Sequence, residues 1–261
     1  MKVKESLSII SGGSRGIGLD IAKRLSNEGS DVYILDKNLP EGNEIDQNIN
    51  LNFIKCNLAS EKSILDALEQ VIFSKGKKIF LINNARFKNK FSMDEPISQW
   101  NESIAVTLTA PFILSREVIL RSQSGGSIVN ICSIASKYAT GESPSYHAAK
   151  GGLLALSNYL AIEGAKKNFT SNAILPGLIV QKDFLKKFNS QDNEDYKKLC
   201  ELYQPMGKVG SESDVSDLVI FLLSDEASYL SGSEIKLDGG ATNRDHFSLA
   251  FHLQNRRKNE T

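Results

Sequence analysis

The segment "YHAAKGG", residues 146 to 152, places a tyrosine four positions before a lysine. If this segment is helical, Tyr146 and Lys150 lie on one face of the helix. A phenol beside an ammonium group could donate and accept protons, because a nearby positive charge lowers the pKa of tyrosine from its usual value of about 10. The spacing fits two solvated residues on an exposed helix equally well, so the rest of the chain must decide.

A glycine-rich segment, "SIISGGSRGIGLDIAKRL", is a second candidate for chemistry. Gly12, Gly16 and Gly18 stand where a predicted strand passes into a predicted helix. Glycine allows a pyrophosphate to approach the backbone, and the start of a helix offers free N–H groups to the anion. The spacing is G-x-x-x-G-x-G rather than G-x-G-x-x-G, and a merely flexible turn is the alternative.

Asp36 follows about twenty residues after these glycines, at the end of the second predicted strand. A carboxylate there can accept hydrogen bonds from an adenosine ribose and would repel a 2′-phosphate. Asp36 therefore favours NAD over NADP. Arg15 and Lys37 could each meet a phosphate, so NADP stays possible, and a plain turn residue is the alternative for Asp36 itself.

Short apolar runs alternate with amphipathic ones along the whole chain. This alternation predicts one α/β domain, a doubly wound parallel sheet of about seven strands with helices on both faces. One helix should end near Gly29, and another should begin after Ser60 as N-cap. The runs that predict strands are 7–11, 31–35, 51–56, 78–83, 127–132, 171–175 and 233–238.

The composition excludes several classes of protein. The chain has 261 residues, a formal net charge of zero and a pI near 6.8, so no basic bias points to nucleic acid. Its three cysteines are too few and too widely spaced for a disulfide framework or a zinc site, which fits a reducing cytoplasm. We expect no membrane association, since the apolar runs at residues 7–11 and 218–223 are short.

Two segments interrupt the alternation. Residues 179 to 206 form a long, charge-rich insertion, of the kind that often serves as a lid or binding loop. Residues 243 to 261 form an extension beyond the last predicted strand and carry Arg256, Arg257 and Lys258. A frayed basic tail is one reading of this extension. The other is that its apolar stretch, 247–253, packs on a neighbouring subunit.

Five motifs together resemble the classical short-chain dehydrogenase/reductase family over residues 5 to 242, within a domain that we place at 1–242. The segment from Ser11 to Gly18 resembles the family's T-G-x-x-x-G-x-G, and "INNAR" at 82–86 resembles its N-N-A-G. Ser133, Tyr146 and Lys150 fall at its serine and Tyr-x-x-x-Lys positions. Residues 172–179 resemble its P-G motif, and 229–240 resemble its final strand and turn.

This resemblance implies a Rossmann-like fold, a nicotinamide cofactor without a metal, and the interconversion of a secondary alcohol and a ketone. Tyr146 would be the acid and base, Lys150 would lower its pKa, and Ser133 would hold the substrate oxygen. The resemblance also implies a homotetramer built through the helices around 97–122 and 143–166. The cofactor contacts it implies are Gly12, Ser14, Arg15, Gly16, Ile17, Gly18, Asp36, Asn57, Leu58, Asn83, Ala85, Tyr146, Lys150, Pro176, Gly177 and Ile179.

Three residues depart from the family pattern near the expected site. Thr107 stands where an asparagine usually supports a catalytic proton relay, and its hydroxyl could bond back to its own helix instead. Asn57 replaces an aspartate that meets adenine, and its amide oxygen can still accept a hydrogen bond. Gln181 replaces a threonine, which puts one contact to the nicotinamide amide in doubt.

Arg86 is the fourth departure, because it replaces the glycine of N-N-A-G. With Lys88 and Lys90 it forms a basic stretch, "RFKNK", beyond the carboxyl edge of the predicted sheet. We expect Arg86 to contact an anionic group of the substrate, since guanidinium suits bidentate contact with carboxylate or phosphate. A solvated basic loop is the alternative.

Two other functions remain open at this stage. A dinucleotide-binding regulatory or scaffold protein would keep the fold without redox turnover, as Thr107, Gln181 and Arg86 suggest. A lyase or epimerase would use Tyr146 for proton transfer beside tightly held NAD. Neither the substrate nor the physiological direction of the reaction follows from these residues.

Overall fold

Seven parallel strands form one sheet in the computed structural model, which describes residues 3–40, 51–90, 92–245, 247 and 249–251. The strand order is β3-β2-β1-β4-β5-β6-β7. The chain moves outward from β1 on one side and returns to the middle at β4, so the connections diverge between β1 and β4. The strands are β1 Leu7–Ser11, β2 Asp31–Asp36, β3 Leu51–Lys55, β4 Ile79–Asn83, β5 Gly126–Ile131, β6 Phe169–Pro176 and β7 Glu234–Leu237.

All seven predicted strands are confirmed, each to within two residues at either end. They read as near-continuous apolar runs because both faces of the sheet are covered. In β1, Leu7 and Ile9 belong to one core cluster, while Ile10 belongs to the cluster on the opposite face. Successive side chains of a strand point to opposite faces, so a strand between two helical layers must be apolar at every position.

Eight α-helices surround the sheet in the described part of the chain. Helices α1 and α8 supply Ile21 and Val219 to the core on one face, and α2 and α4 supply Ile64 and Leu114 to the other. Ser60 caps α2 as predicted, accepting a hydrogen bond from the backbone of Ser63. The helices are α1 Gly16–Asn27, α2 Glu61–Leu68, α3 Ile97–Ile104, α4 Ala110–Arg121, α5 Pro144–Ala165, α6 Lys182–Phe188, α7 Glu194–Tyr203 and α8 Glu212–Leu223.

A π-helical turn, Ala105–Thr109, joins α3 to α4 into one continuous helical segment. By length and composition alone, this segment from Ile97 to Arg121 is long and apolar enough to cross a membrane. Helices around 97–122 were predicted, but an apolar segment of this length was not. Its inner face belongs to the protein core, where Leu114 and Val118 are fully buried. That packing is typical of a core helix beside a sheet.

The insertion at 179–206 is helical rather than an open loop. Helices α6 and α7 enclose a small core of Val180, Phe188 and Cys200. The Nζ of Lys182 donates to Asp20 on α1 at 3.1 Å, which ties the start of the insertion to the helix after the glycine loop. The insertion therefore has a defined position above the carboxyl edge of the sheet.

The described part of the C-terminal extension contacts the chain's own insertion. Arg244 donates to the carbonyl of Leu202 at 2.9 Å, and Leu249 lines an apolar cavity of about 280 Å³ beside α7. Phe247 and Phe251 are exposed in the single chain. The predicted contact of 247–253 with a neighbouring subunit stays a prediction, and the basic cluster at 256–258 lies outside the described residues.

Candidate active site

A cleft of about 670 Å³ follows the carboxyl ends of the strands. It runs from the glycine loop after β1, past the ends of β2 and β3, to the first turns of α5. This is where an open α/β sheet binds its ligands, because the loops at the carboxyl edge diverge on either side of β1 and β4. Most of the predicted site residues line it. Among the described residues, Ser14, Gly16, Asn83 and Thr107 do not.

The glycine loop forms a cradle that a larger side chain would fill. A Cβ on Gly12 would lie 2.8 Å from the Cα of Ala85, and a Cβ on Gly18 would lie 2.2 Å from the carbonyl oxygen of Gly12. Helix α1 begins at Gly16 without a side-chain cap. The cradle and the uncapped N–H groups suit a pyrophosphate, so the residues present fit a dinucleotide.

Asp36 lies at the end of β2 and faces this loop. Its carboxylate accepts hydrogen bonds from the backbone N–H of Ser14 at 3.2 Å and of Asn38 at 3.3 Å. These bonds fix the carboxylate where the ribose of an adenosine would pass. Arg15 and Lys37 also line the cleft and are exposed. Asp36, which favours NAD, and the two cations that could bind the 2′-phosphate of NADP thus lie at the same end of the cleft.

The residues after β3 form the wall beside the expected adenine. Leu58 is largely buried and gives this wall an apolar surface. The amide oxygen of Asn57 accepts a hydrogen bond from the backbone of Ala59 at 3.1 Å. The same amide oxygen was predicted to accept a hydrogen bond from adenine, and it is already partly occupied by this local turn.

The two asparagines after β4 have different surroundings. Asn83 is buried and donates to Asn130 at 2.8 Å and to Ser115 at 3.3 Å, so its side chain supports the core beneath the cleft. Asn84 was not predicted as a site residue, yet it lines the cleft and donates to the carbonyl of Gly12 at 2.7 Å. Nothing in the sequence around these two adjacent asparagines predicts which one enters the core and which one lines the cleft.

The segment after β6 closes the cleft on the opposite side. Pro176, Gly177 and Ile179 line it, as predicted for a cofactor wall. Gln181 extends over the glycine loop, where its side-chain oxygen lies 2.5 Å from the position of a Cβ on Gly16. Gln181 therefore faces the expected phosphates, rather than only the nicotinamide end that the sequence analysis considered.

Ser133, Tyr146 and Lys150 meet at the inner end of the cleft. Ser133 follows β5, and Tyr146 and Lys150 lie on successive turns of α5. The Nζ of Lys150 lies 5.8 Å from the centre of the Tyr146 ring and donates to the carbonyl of Ile131. All three residues are buried. Two solvated residues on an exposed helix, the alternative reading of the pair, do not fit this burial.

Burial dominates the electrostatics of this group. It raises the pKa of Tyr146, while the positive charge of Arg86 and hydrogen bonding with Ser133 lower it in part. Burial also lowers the pKa of Lys150 to about 8. In the structure, Arg86 is a cation that lowers the pKa of Tyr146. The predicted effect of Lys150 on that pKa stays a prediction.

Thr107 lies in the π-helical turn and is fully buried. Its hydroxyl accepts a hydrogen bond from the backbone N–H of Phe87 at 3.2 Å. The expected bond back to its own helix is thus replaced by a bond to the loop after β4. Thr107 holds this loop in place and does not line the cleft.

Arg86 lies directly above the catalytic candidate. Its guanidinium carbon is 5.5 Å from the centre of the Tyr146 ring, within the range of a cation–π contact. One Nη atom lies 3.5 Å from a carboxylate oxygen of Glu142, which also lines the cleft. Glu142 was not predicted as a site residue, because nothing near it in the sequence marks it as a partner for a residue 56 positions away.

Comparisons with known proteins agree with this geometry. A family model described as enoyl-(acyl carrier protein) reductase matches residues 12–242. An uncharacterized oxidoreductase of Thermotoga maritima is 30% identical over 247 residues, covering 90% of this chain and 95% of that one. A 3-oxoacyl-[acyl-carrier-protein] reductase of Aquifex aeolicus is 30% identical over 249 residues, covering 92% and 98%.

Solved structures show the same architecture. A 4-hydroxyisoleucine dehydrogenase complexed with NADH superposes with a TM-score of 0.81 at 28% identity, covering 92% of this chain and all of that chain. A putative 2-deoxy-d-gluconate 3-dehydrogenase of Agrobacterium tumefaciens with bound NADP gives 0.80 at 26% identity, covering 92% and 98%. The match extends from the glycine loop to the turn after the last strand, so the chain belongs to the classical short-chain dehydrogenase/reductase family and is an oxidoreductase of that family.

Proposed function

We propose that the protein is an NAD(P)(H)-dependent oxidoreductase that interconverts a secondary alcohol and a ketone, with Tyr146 as the acid and base. The observation that carries this proposal is the burial of Ser133, Tyr146 and Lys150 together at one end of a cleft whose other end is a glycine cradle. A dinucleotide bound along the cleft would reach both ends. The relatives described as 3-oxoacyl reductases support carbonyl reduction as the reaction class.

The chain's own residues would handle the proton. The bound nicotinamide would supply or accept the hydride. Ser133 would hold the substrate oxygen beside the phenol, and Tyr146 would take the alcohol proton in oxidation or return it in reduction. Because burial raises the pKa of Tyr146, the neutral phenol is favoured, and the charge of Arg86 opposes this. Lys150, whose pKa lies at about 8, could exchange protons near neutral pH.

We further propose that the cofactor is NAD rather than NADP. The Asp36 carboxylate is fixed by two backbone hydrogen bonds at the glycine loop, where it would repel a 2′-phosphate. Arg15 and Lys37 are exposed and less constrained. The relatives do not decide between the two cofactors, since one of the two solved structures holds NADH and the other NADP.

The test is a fluorescence titration of the purified protein with NADH and with NADPH, followed by a screen of secondary alcohols with NAD. We expect tighter binding of NADH, and we expect Asp36→Ala to remove the preference while Asp31→Ala, at the other end of β2, leaves it. Tyr146→Phe should still bind NADH but lose turnover by about 100-fold or more, the usual contribution of a positioned acid or base.

Each failure has a distinct meaning. If neither cofactor binds after removal of copurified nucleotide, the enzyme proposal is wrong. If NADPH binds more tightly, Arg15 and Lys37 outweigh Asp36. Tight copurified NAD without any net change in NADH would instead indicate the lyase or epimerase alternative, and binding without turnover on any substrate would indicate a regulatory protein.

We also propose that the protein self-associates in the cytoplasm as a homotetramer. The single chain leaves large apolar side chains exposed on two adjacent helices, Phe112 and Leu120 on α4 and Tyr159 and Ile162 on α5. Exposed apolar side chains on neighbouring helices are candidates for a subunit interface. The three free, buried cysteines fit a reducing compartment.

A further inference from the structure

From the contacts of Arg86, we infer that the substrate carries a carboxylate close to its reacting carbon, and that this carboxylate replaces Glu142 on the Arg86 guanidinium. The inference rests on the proposed function and names the substrate class of the same site. Arg86 stands where the family motif N-N-A-G has a glycine.

The backbone on both sides of Arg86 is fixed. The N–H of Ala85 donates to the hydroxyl of Ser11 at 3.3 Å, and the N–H of Phe87 donates to the hydroxyl of Thr107 at 3.2 Å. Ala85 also packs against Gly12, because a Cβ on Gly12 would lie only 2.8 Å from the Cα of Ala85. The Cα of Arg86 therefore has a fixed position, which a residue on a solvated basic loop would not have.

The guanidinium lies inside the cleft. It stacks 5.5 Å from the centre of the Tyr146 ring, and only about a third of the Arg86 side chain is exposed. Glu142 pairs with a single Nη atom at 3.5 Å, so the bidentate face of the guanidinium is not used by this pair. Arginine binds carboxylates most strongly through two parallel hydrogen bonds.

The Arg86–Glu142 pair is weak enough to exchange. Glu142 is 41% exposed, and exposed ion pairs at such distances contribute roughly 0–1 kcal/mol. A substrate carboxylate with two hydrogen bonds to the guanidinium would contribute more than that. Glu142 thus balances the charge of Arg86 in the free protein, and a substrate carboxylate can take its place when the exposed Glu142 side chain turns to solvent.

Charge favours a carboxylate over a phosphate. Arg86 is paired with one carboxylate, that of Glu142, so a singly charged carboxylate replaces it charge for charge, whereas a dianionic phosphate would add a second negative charge. Distance favours a short molecule. The Arg86 guanidinium lies 5.5 Å from the centre of the Tyr146 ring, so a ligand that places a carbinol oxygen at Tyr146 and a carboxylate at Arg86 needs only a few bonds of about 1.5 Å between them. The substrate class is therefore a small hydroxy acid or oxo acid.

Succinate is a suitable probe, because it is a four-carbon dicarboxylate without a carbinol. We would titrate succinate into the protein by calorimetry, both alone and saturated with NADH, with succinamide as the neutral control ligand. The variants are Arg86→Ala, Arg86→Lys and Glu142→Gln. Lys90→Ala is the matched control, since Lys90 is an exposed cation of the same basic stretch.

We expect Arg86→Ala to weaken succinate binding roughly 10-fold or more, the effect of losing a charged hydrogen-bonding partner. Arg86→Lys should recover only part of the affinity, because an ammonium lacks the planar fork. Glu142→Gln should tighten binding several-fold by removing the competitor. Lys90→Ala should bind like the unchanged protein, and succinamide should bind weakly to all.

Equal succinate affinity in Arg86→Ala and the unchanged protein would overturn the inference. So would an equal loss in Lys90→Ala, which would indicate a diffuse basic surface, or equally tight binding of succinamide. A titration of the same samples with NADH separates the two proposals. If NADH binds but succinate does not depend on Arg86, the substrate class is wrong and the cofactor proposal stands. If succinate binding depends on Arg86 but no cofactor binds, the substrate class stands and the cofactor proposal is wrong.

Discussion

Lys150 combines a buried charge with a place beside Tyr146, the proposed acid and base. It is almost fully buried, and its ammonium donates to the carbonyl of Ile131. Burial lowers its pKa from 10.5 in the unfolded chain to about 8. A charged group without a carboxylate partner costs stability in such a place. A group that exchanges protons near neutral pH is what the proposed chemistry needs, so function explains the cost.

This cost should be visible in the pH dependence of folding. Between pH 8 and 10 the unfolded chain keeps a proton on Lys150 that the folded chain has lost, so stability rises with pH in that window by about 2 kcal/mol. Lys150→Met should lack this rise. Urea unfolding of both proteins at pH 8, 9 and 10, at one protein concentration, measures the difference.

The difference between the two proteins isolates Lys150. Burial raises the pKa of Cys132 to about 12 and raises that of Tyr146, so both groups lower stability as pH rises. Both groups are present in both proteins, so their effect cancels apart from the interaction of Lys150 with Cys132, whose pKa the lysine lowers. Lys62→Met, which removes an exposed lysine, should keep the rise seen in the unchanged protein. Parallel pH profiles for Lys150→Met and the unchanged protein would show that burial does not perturb this lysine.

At the scale of the element, the N-terminus of α5 determines where Tyr146 lies. Ser143 caps the helix and accepts a hydrogen bond from the backbone of Tyr146 at 3.3 Å. Glu95, from the segment before α3, accepts hydrogen bonds from the backbone and hydroxyl of Ser145 at 2.9 Å and 2.5 Å. The carboxylate also suits the positive end of the helix dipole. Glu95 is therefore a positioning residue for the first turn of α5.

Glu95→Gln should destabilise the protein by about 1–3 kcal/mol at pH 7 and lower kcat. Burial raises the pKa of Glu95, but the hydrogen bonds from Ser145 outweigh it, and the net pKa is lowered. Its contribution is thus present above the usual glutamate pKa of about 4.3 and is lost as pH falls through the folded value. Urea unfolding at pH 7 and pH 3 should therefore show the two proteins converging at low pH.

Glu163→Gln is the control for this prediction. Glu163 lies near the other end of α5 and pairs with the exposed Lys166, so its loss should change stability by less than about 0.5 kcal/mol. Equal stability of Glu95→Gln and Glu163→Gln at pH 7 would mean that Glu95 does not hold the helix start.

At the scale of the whole molecule, exposed apolar side chains on α4 and α5 are the candidates for contact between subunits. Leu120 is 67% exposed and Ile162 is 69% exposed, so replacing them by aspartate costs little in an isolated chain. In a tetramer built through these helices, the same charges would be buried without partners. The two substitutions should therefore weaken a tetramer without destabilising the isolated chain.

We expect the unchanged protein to sediment as a tetramer and Leu120→Asp/Ile162→Asp to sediment as a smaller species. Sedimentation velocity at equal concentrations measures this. Tyr229→Asp, at a fully exposed residue before β7, should leave the assembly unchanged. A monomeric unchanged protein, or a tetrameric double variant, would contradict the assembly proposal.

The sequence by itself determined the strands and the local parts of the site, but not helices α6 and α7 of the insertion. The apolar runs defined all seven strands, because a parallel sheet covered on both faces needs such runs. The glycine turn into α1 and the shared face of Tyr146 and Lys150 also followed from the sequence, since both depend on residues a few positions apart.

Only the tertiary structure decided which side chains meet across the chain. It directed Asn83 into the core and Asn84 to the glycine loop, and it bonded Thr107 to the backbone of Phe87. It placed Arg86 over Tyr146, 60 positions away, and next to Glu142. Periodicity and capping act within a few residues, whereas contacts between distant residues are set by how helices and loops pack at the edge of the sheet. Local sequence patterns could therefore predict that Tyr146 and Lys150 share a helix face, but not which charged side chains surround them.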